Sequence, residues 1–476
     1  MPTIYGDEVG QFQRDTIVAL SSAPGKSAIA VVRMSGARVV EIAEKIFHPK
    51  NASVLPGDRK LRVGKFAGPD GCAFDEGMAV LMAGPRSFTG EDMAEFYCHG
   101  GSAVVRALLT AACDAGARPA EPGEFTRRAY LEGKIDLVQC ESVADLISAE
   151  TASAARAALN HLEGGLSKAL RAIWEKIIEV GALLEAAIDF PDEFGPVAGP
   201  FPGEPIGRSD LDGLFSKIVD DLADLESTYQ SGRVLREGAR VVILGRPNAG
   251  KSTLLNRFLG VERAIMSPIP GTTRDTVEEV CEMGGIPVRL IDTAGLRDTG
   301  DPVELEGTDR ARRSANAADL CLVVVDATLG SEEVDWAKNE IDGLDSPVIL
   351  AVNKVDLPQA SLPEKNEFFS RTCAISALTG EGLDQLRDII ATSLLREDRG
   401  TADDTQGLLT RERHRDLVMK CRKAIESGRN ALEHGLSPEL VAVDLNEGQR
   451  AFSELLGCDY AQDLLDKLFS TFCIGK

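Results

Sequence analysis

Residues 241–252 read Val-Val-Ile-Leu-Gly-Arg-Pro-Asn-Ala-Gly-Lys-Ser, and Gly245, Gly250, Lys251 and Ser252 have the spacing of a phosphate-binding loop. The chemistry follows from the residue types. Glycines let backbone N–H groups close on phosphate oxygens, and a following helix adds the partial positive charge of its N-terminus. Lys251 would neutralise the outer phosphates, and the Ser252 hydroxyl would ligate Mg²⁺. Asn248, Ala249 and Thr253 complete the stretch expected to face the phosphates. A chance match on a Gly-rich turn would end there. Four further stretches follow in the order a nucleotide site requires.

Gly271-Thr-Thr-Arg-Asp lies where a mobile switch would place Thr272 or Thr273 on a metal ion. Asp292-Thr293-Ala294-Gly295 follows an apolar run, so its carboxylate can hold Mg²⁺ through water and its glycine can approach the γ-phosphate. Asn353-Lys354-Val-Asp356 supplies a carboxylate that can accept from the N1–H and the exocyclic amine of guanine. Adenine offers no such pair of donors, so the ligand read here is GTP. Ser376 and Ala377 suit a backbone donor to guanine O6. Taken singly, each stretch is an ordinary surface turn; five in order at strand ends are a nucleotide site. Leu296 occupies the position after Gly295 where Ras-type sites carry a water-orienting Gln. Either hydrolysis is slow or another group orients the water, with Glu304, Glu306 and Asp298 as the nearby candidates.

These loops need a strand before each of them. Residues 241–244, 288–291, 320–325 and 348–352 are short apolar runs followed by polar turns, which predicts a largely parallel, doubly wound sheet over 233–398. Ahead of it, residues 16–20, 28–34 and 78–82 read as strands, and Val39–Phe47 and Ala103–Ala115 have helical periodicity. That is an α+β domain ending near residue 132. From Ile135 to Phe190, Ala, Leu and Glu dominate with helical spacing, broken near Gly164-Gly165. Residues 191–207 hold five prolines and read as a loop, and Leu211–Tyr229 resumes a helix. After Thr401 the chain turns helical again. Helices on both sides of an α/β unit predict one helical domain with the α/β domain inserted into it.

The 476 residues carry a net charge of −23, which excludes a broad basic nucleic-acid surface and leaves only local patches. The 10 cysteines show no pairing or zinc spacing and read as reduced thiols of a cytoplasmic protein. No apolar run is long enough for a bilayer span, so no membrane partner is expected.

The sequence resembles the tRNA modification GTPase family (MnmE, also called TrmE) from end to end. The loop, the Gly-Thr-Thr-Arg-Asp switch and Asp-Thr-Ala-Gly-Leu-Arg are similar to that family's, although many GTPases share them. More specific are Phe88-Thr-Gly-Glu-Asp, Pro122-Gly-Glu-Phe-Thr, Ile188-Asp-Phe-Pro-Asp-Glu and above all the terminal Phe472-Cys-Ile-Gly-Lys476. Leu455-Leu-Gly-Cys-Asp-Tyr-Ala departs from the family's Gly-Glu-x-Thr-type stretch.

The resemblance implies a multidomain chain. Residues 1–132 would form a folate-binding and dimerising α+β domain. Residues 133–232 and 399–476 would form a discontinuous helical domain, and 233–398 an inserted Ras-like GTPase domain. It implies GTP hydrolysis stimulated by K⁺ and modification of a tRNA wobble uridine at carbon 5. A tetrahydrofolate (5-formyl- or 5,10-methylene-) would supply the one-carbon unit. The partners implied are a second copy of the chain, a flavin-containing protein in a heterotetramer, and tRNA. Residue by residue, Asn248, Ser267, Ile269 and Thr272 match K⁺ contacts, and Ser252 and Thr273 match Mg²⁺ ligands. Glu304 matches the glutamate that orients water. Arg33, Glu95, Lys134 and Lys476 match folate contacts, and Cys473 matches the tail cysteine, a candidate catalytic residue with a supporting role favoured over a nucleophilic one. A GTP-dependent RNA or ribosome assembly factor, and a folate-dependent transferase with a regulatory GTPase, stand as alternatives.

Overall fold

The computed structural model describes residues 15–50, 57–189, 208–261, 279–292, 315–344, 346–362, 368–395, 407–457 and 462–475. The chain divides into two compact units, residues 1–144 with 456–476, and residues 145–455. The Pro-rich stretch 191–207 and the switch stretch 271–275 lie outside the described residues.

In the first unit, seven strands form one sheet: β1 (Ile17–Leu20), β2 (Ser27–Ser35), β3 (Phe47–Pro49), β4 (Arg62–Ala67), β5 (Ala73–Met82), β6 (Met93–Gly100) and β7 (Arg118–Pro119). Their order is β3-β4-β5-β6-β2-β1-β7, antiparallel except where β7 joins β1. The helices Val39–Ile46 and Ser102–Asp114 bury Ile42, Ala43, Leu108 and Ala112 against Val32, Phe66 and Phe96. Period-2 alternation produces that core: Val32 and Met34 point inward from β2, and Arg33 between them points to the other face. The C-terminal helix Gln462–Ser470 belongs to this unit. Leu465, Phe469 and Phe472 pack there with Leu137 and Cys140.

The second unit holds a six-stranded sheet: β8 (Ala239–Leu244), β9 (Glu279–Met283), β10 (Ile286–Asp292), β11 (Leu320–Asp326), β12 (Val348–Asn353) and β13 (Arg371–Ala374), ordered β13-β12-β11-β8-β10-β9. All its pairings are parallel except the β9–β10 hairpin. β11 and β12 are buried along their whole length, as strands covered on both faces must be. The doubly wound sheet predicted for this region is present. Arg208–Ser227 lies along Glu412–Glu433, tied by Arg422 to Glu226 (2.9 Å) and Arg429 to Asp212 (2.7 Å). Helices from before and after the α/β segment thus pack on each other.

One residue in these helices sets a pH response. His161 is 2% exposed, and its Nε2 has no hydrogen-bond partner among the described residues. Burial, reinforced by nearby His414, pushes its pKa down to about 4. Asp145 acts in the opposite sense, and Arg411 in the same sense as His414. The folded chain therefore binds fewer protons than the unfolded chain between the ordinary histidine value, roughly 6.5, and that lowered value. His161's contribution is complete above the unfolded pKa and is lost as pH falls through this window. Between pH 6.5 and 5 we expect a loss of about 2 kcal/mol, measured as a lower urea midpoint. A flat midpoint across that interval would contradict the buried neutral state.

Candidate functional site

The phosphate loop leaves the end of β8 and enters the helix Lys251–Val261. Its shape depends on two close approaches. A Cβ on Gly245 would lie 2.5 Å from the Val324 carbonyl oxygen, and one on Gly250 would lie 2.2 Å from Asn353 Nδ2. Asn248 adopts φ of 67°, a left-handed conformation that Asn tolerates better than most residues. The Lys251 ammonium donates to the carbonyls of Gly245 (2.7 Å) and Arg246 (2.9 Å), so it lies folded across the loop it would use to neutralise phosphate. Ser252 and Thr253 are exposed at the helix N-terminus, where a hydroxyl can meet a metal ion.

Behind the loop, Asn353 is 2% exposed and makes two tethers. Its Nδ2 donates to the Ala249 carbonyl (2.8 Å), and its Oδ1 accepts from the Ala377 amide (2.9 Å). One side chain therefore joins the phosphate loop, the Asn-Lys-Val-Asp segment and the Ser-Ala segment. Lys354 pairs with Asp326 at the end of β11 (2.5 Å), and Asp356 stands exposed two residues further on. Ser376 is fully buried; its hydroxyl accepts from the Thr379 amide and shapes the turn that presents Ala377. The structure thus brings Asn248, Ala249, Gly250, Lys251, Asn353 and Ala377 into one connected loop assembly. Asp292 ends β10, paired in register with Ile243 beside the loop. Ser267, Ile269, Thr272, Thr273, Thr293, Ala294, Gly295 and Glu304 lie outside the described residues.

Two residues of this site were missed at the level of sequence. Arg246, inside the loop, donates to Glu333 (3.0 Å), itself 1% exposed, and its guanidinium lies 5.5 Å from the Trp336 ring centroid. Asp326 closes an apolar run as Asp292 does, and that parallel was the available signal.

The second group lies in the first unit. Register places Arg33 of β2 opposite Glu95 of β6. Arg33 donates through Nε (3.0 Å) and Nη2 (2.9 Å) to Glu95, whose other oxygen accepts from Tyr97 (2.8 Å). The Arg33 guanidinium carbon is 5.5 Å from the Phe88 ring centroid and 5.9 Å from that of Phe125. Phe88-Thr-Gly-Glu-Asp and Pro122-Gly-Glu-Phe-Thr therefore each contribute a ring beside one arginine. Lys134 is exposed and donates to the Pro85 carbonyl (2.9 Å). Lys476 lies outside the described residues.

The tail is strapped into the same unit. Ile474 forms a bridge with Pro122, the Gly123 amide donates to the Cys473 carbonyl (3.4 Å), and Ser21 donates to the Gly475 carbonyl (2.9 Å). Gly475 has φ of 92°, and a Cβ there would lie 2.2 Å from the Leu20 carbonyl oxygen. Cys473 itself is exposed. The nine cysteines among the described residues are all free thiols, and these residues contain no His/Cys/Asp/Glu cluster suited to a metal and no helix long and apolar enough to cross a membrane.

A doubly wound sheet with a phosphate loop after one strand and an Asn-Lys-x-Asp segment after another defines a P-loop GTPase. Residues 16–134 match the family model described as the GTP-binding protein TrmE N-terminus, and residues 137–473 match that of the MnmE helical domain. The tRNA modification GTPase MnmE of Moorella thermoacetica is 41% identical over 472 residues, covering 97% of this chain and 99% of its own. Its namesake in Symbiobacterium thermophilum is 42% identical over 469 residues, with the same coverage of both chains. An Era protein of Aquifex aeolicus, solved with GDP and AlF4−, is 31% identical and covers 39% of this chain and 66% of its own, with a TM-score of 0.27. The chain belongs to the MnmE family.

Proposed function

We propose that this chain hydrolyses GTP as a subunit of the enzyme that modifies the wobble uridine of tRNA at carbon 5. The observation that carries the reading is the full-length likeness to proteins named tRNA modification GTPase, together with an intact loop assembly around Asn353. The loop's backbone and Lys251 would hold the phosphates, Asp356 would accept from the guanine, and Ser252 with Thr273 would hold a Mg²⁺ ion, which would supply positive charge beside the phosphates. The donor set fits. The Ser252 hydroxyl is open, and a Cβ at Gly250 would collide with Asn353 Nδ2, so glycine there lets the loop close on Asn353.

K⁺ belongs to the same proposal. Asn248 stands in the loop with its backbone turned left-handed, and Leu296 replaces the Gln that would orient water. Asn248, Ser267, Ile269 and Thr272 would hold the ion, which supplies positive charge to the transition state, while Glu304 positions the water. GTP hydrolysis is then expected to run several-fold faster in KCl than in NaCl at matched ionic strength. Glu304→Ala should lower kcat with little change in nucleotide affinity, as for an interaction made only in the transition state. Equal rates in the two salts would refute the K⁺ assignment.

The first unit would bind a tetrahydrofolate, with Arg33, Glu95, Lys134 and Lys476 as contacts, and would dimerise. A carboxylate accepting from Tyr97 and a guanidinium between two rings suit a ligand with a flat donor–acceptor edge and a carboxylate tail. A flavoprotein partner and the tRNA complete the proposed complex. Arg33→Ala should weaken binding of 5-formyltetrahydrofolate about tenfold or more in calorimetry, since it removes a half-buried charge and leaves Glu95 without its arginine. Unchanged affinity would move the folate site elsewhere.

A further inference from the structure

The phosphate loop contains a tight turn whose two ends are held by different side chains. The Ala249 amide donates to the Arg246 carbonyl (3.3 Å), closing a four-residue turn with Pro247 and Asn248 in the middle. Proline fixes a negative φ at the first central position, and Asn248 has φ of 67° at the second. That combination is a type II turn, which favours Pro and then Gly or Asn at those positions. Asn248 therefore stands exposed at the apex.

At the far end, Ala249 is buried and its carbonyl accepts from Asn353 (2.8 Å). At the near end, Arg246 is held by its own side chain. Its guanidinium donates to Glu333 (3.0 Å) and lies 5.5 Å from the Trp336 ring centroid. Both partners come from the helix Ser331–Ile341, three residues apart and so on one face. Trp336 packs in turn against the core that holds Leu244, the last residue of β8 before the loop. Glu333 is buried in the helix's first turn, where the partial positive charge of the helix N-terminus favours a carboxylate. Its Oε2 is buried as well and has no hydrogen-bond partner among the described residues. A carboxylate buried this deeply demands a cation, and Arg246 is the cation paired with it. An exposed loop residue is thus drawn onto a buried charge and away from the apex of its own turn.

We infer that Arg246 is a positioning residue: Glu333 and Trp336 hold it so that Asn248 is set in place for a monovalent cation. The inference rests on the reading that K⁺ binds at Asn248. Two effects act together. Pinning both ends leaves the turn little freedom, so a singly charged ion does not have to order its own ligand. Pairing with Glu333 also neutralises a positive charge two residues from the ion, which would otherwise repel it. In this role Arg246 acts through Asn248 and not on the nucleotide.

The test uses the full-length chain as wild type, Arg246→Lys, Glu333→Gln and Trp336→Phe. GTP hydrolysis is measured across KCl concentrations with NaCl holding the ionic strength constant, and each form is normalised to its own rate in NaCl alone. A second readout needs no turnover. With GDP and aluminium fluoride bound, tryptophan emission is titrated with KCl or NaCl. Trp336→Phe keeps a ring beside the guanidinium and locates the signal, since the other tryptophan, Trp174, is stacked on Phe452. We expect wild-type emission to respond to KCl and not to NaCl. Arg246→Lys loses the fork and the stack, Glu333→Gln leaves the guanidinium charge unneutralised, and each should raise the K⁺ midpoint about fivefold or more in both readouts. Arg246→Lys keeps a cation for Glu333, so it serves if Glu333→Gln does not fold. If wild type responds alike to the two salts, the K⁺ reading fails and this inference with it. If wild type responds to K⁺ and the variants keep its midpoint, the K⁺ reading stands and the positioning role is overturned. A loss of rate that is equal in both salts also overturns it, leaving the ion pair as a fastening between loop and helix.

Discussion

Removing residues 473–476 is expected to abolish tRNA modification and to leave GTP hydrolysis within about twofold of wild type. The deletion takes away only the strap. The helix before it stays anchored by Leu465, Phe469 and Phe472, which pack on Leu137 and Cys140. What is lost is the bridge from Ile474 to Pro122, the bond from Ser21 to the Gly475 carbonyl, and the fixed position of Cys473. Every described contact of these residues lies within the first unit, and the phosphate loop lies in the second. Two substitutions separate the roles of thiol and strap. Cys473→Ser keeps the strap and removes the thiol. Gly475→Ala keeps the thiol and forces a Cβ to within 2.2 Å of the Leu20 carbonyl in a left-handed backbone, so the strap must shift. If the thiol acts chemically, Cys473→Ser is as inactive as the deletion. If the tail only positions, Gly475→Ala is the more damaging of the two. A truncated protein that modifies tRNA at the wild-type rate would reduce the tail to a structural cap.

What the sequence discloses, and what it hides, divides along physical lines. The nucleotide loop was legible because phosphate chemistry restricts residue type at fixed spacing. Gly250 can be nothing larger with Asn353 Nδ2 2.2 Å from where its Cβ would be. β8, β11 and β12 were legible because strands buried on both faces become apolar runs. β6 was not recognised. Its outward positions carry Glu95, Tyr97 and His99, which dilute the apolar signal, although Ala94, Phe96 and Cys98 alternate inward. Missing β6 hid the register that sets Arg33 against Glu95, so in the residues alone Arg33 was an ordinary surface ion. Its two aromatic neighbours arrive from sites 55 and 92 residues further along, and no local pattern reports such a meeting. Asn353 shows the converse. Its motif was read for Asp356 and the base, while the structure gives Asn353 a tertiary task, holding three loops together from a buried position.

That tertiary task makes Asp356→Asn a clean test of base reading. The substitution changes one oxygen to an NH₂ group and leaves the shape intact. Nothing described around it depends on the carboxylate. The segment is held by Asn353, by the Lys354–Asp326 pair, by the Val355 amide donating to the Ile375 carbonyl (3.2 Å), and by the Leu357 amide donating to the Lys354 carbonyl (3.1 Å). Lys354 itself sits at φ of 69°, so these bonds maintain a left-handed turn that aims residue 356 outward. An Asp there can accept from two guanine donors. An Asn would point a donor at one of them, a mismatch that costs about 1–3 kcal/mol. GTP affinity should therefore fall by roughly 5- to 150-fold, and the melting temperature should stay at the wild-type value. Xanthine carries a carbonyl where guanine carries the amine, so the Asn donor finds an acceptor and affinity for XTP should rise. At saturating XTP the variant should hydrolyse it at close to the wild-type rate for GTP, because the phosphate loop, Ser252 and Lys251 are untouched. A variant that binds GTP as tightly as the wild type would show that the base is read by another group; the Ala377 amide is already committed to Asn353 Oδ1.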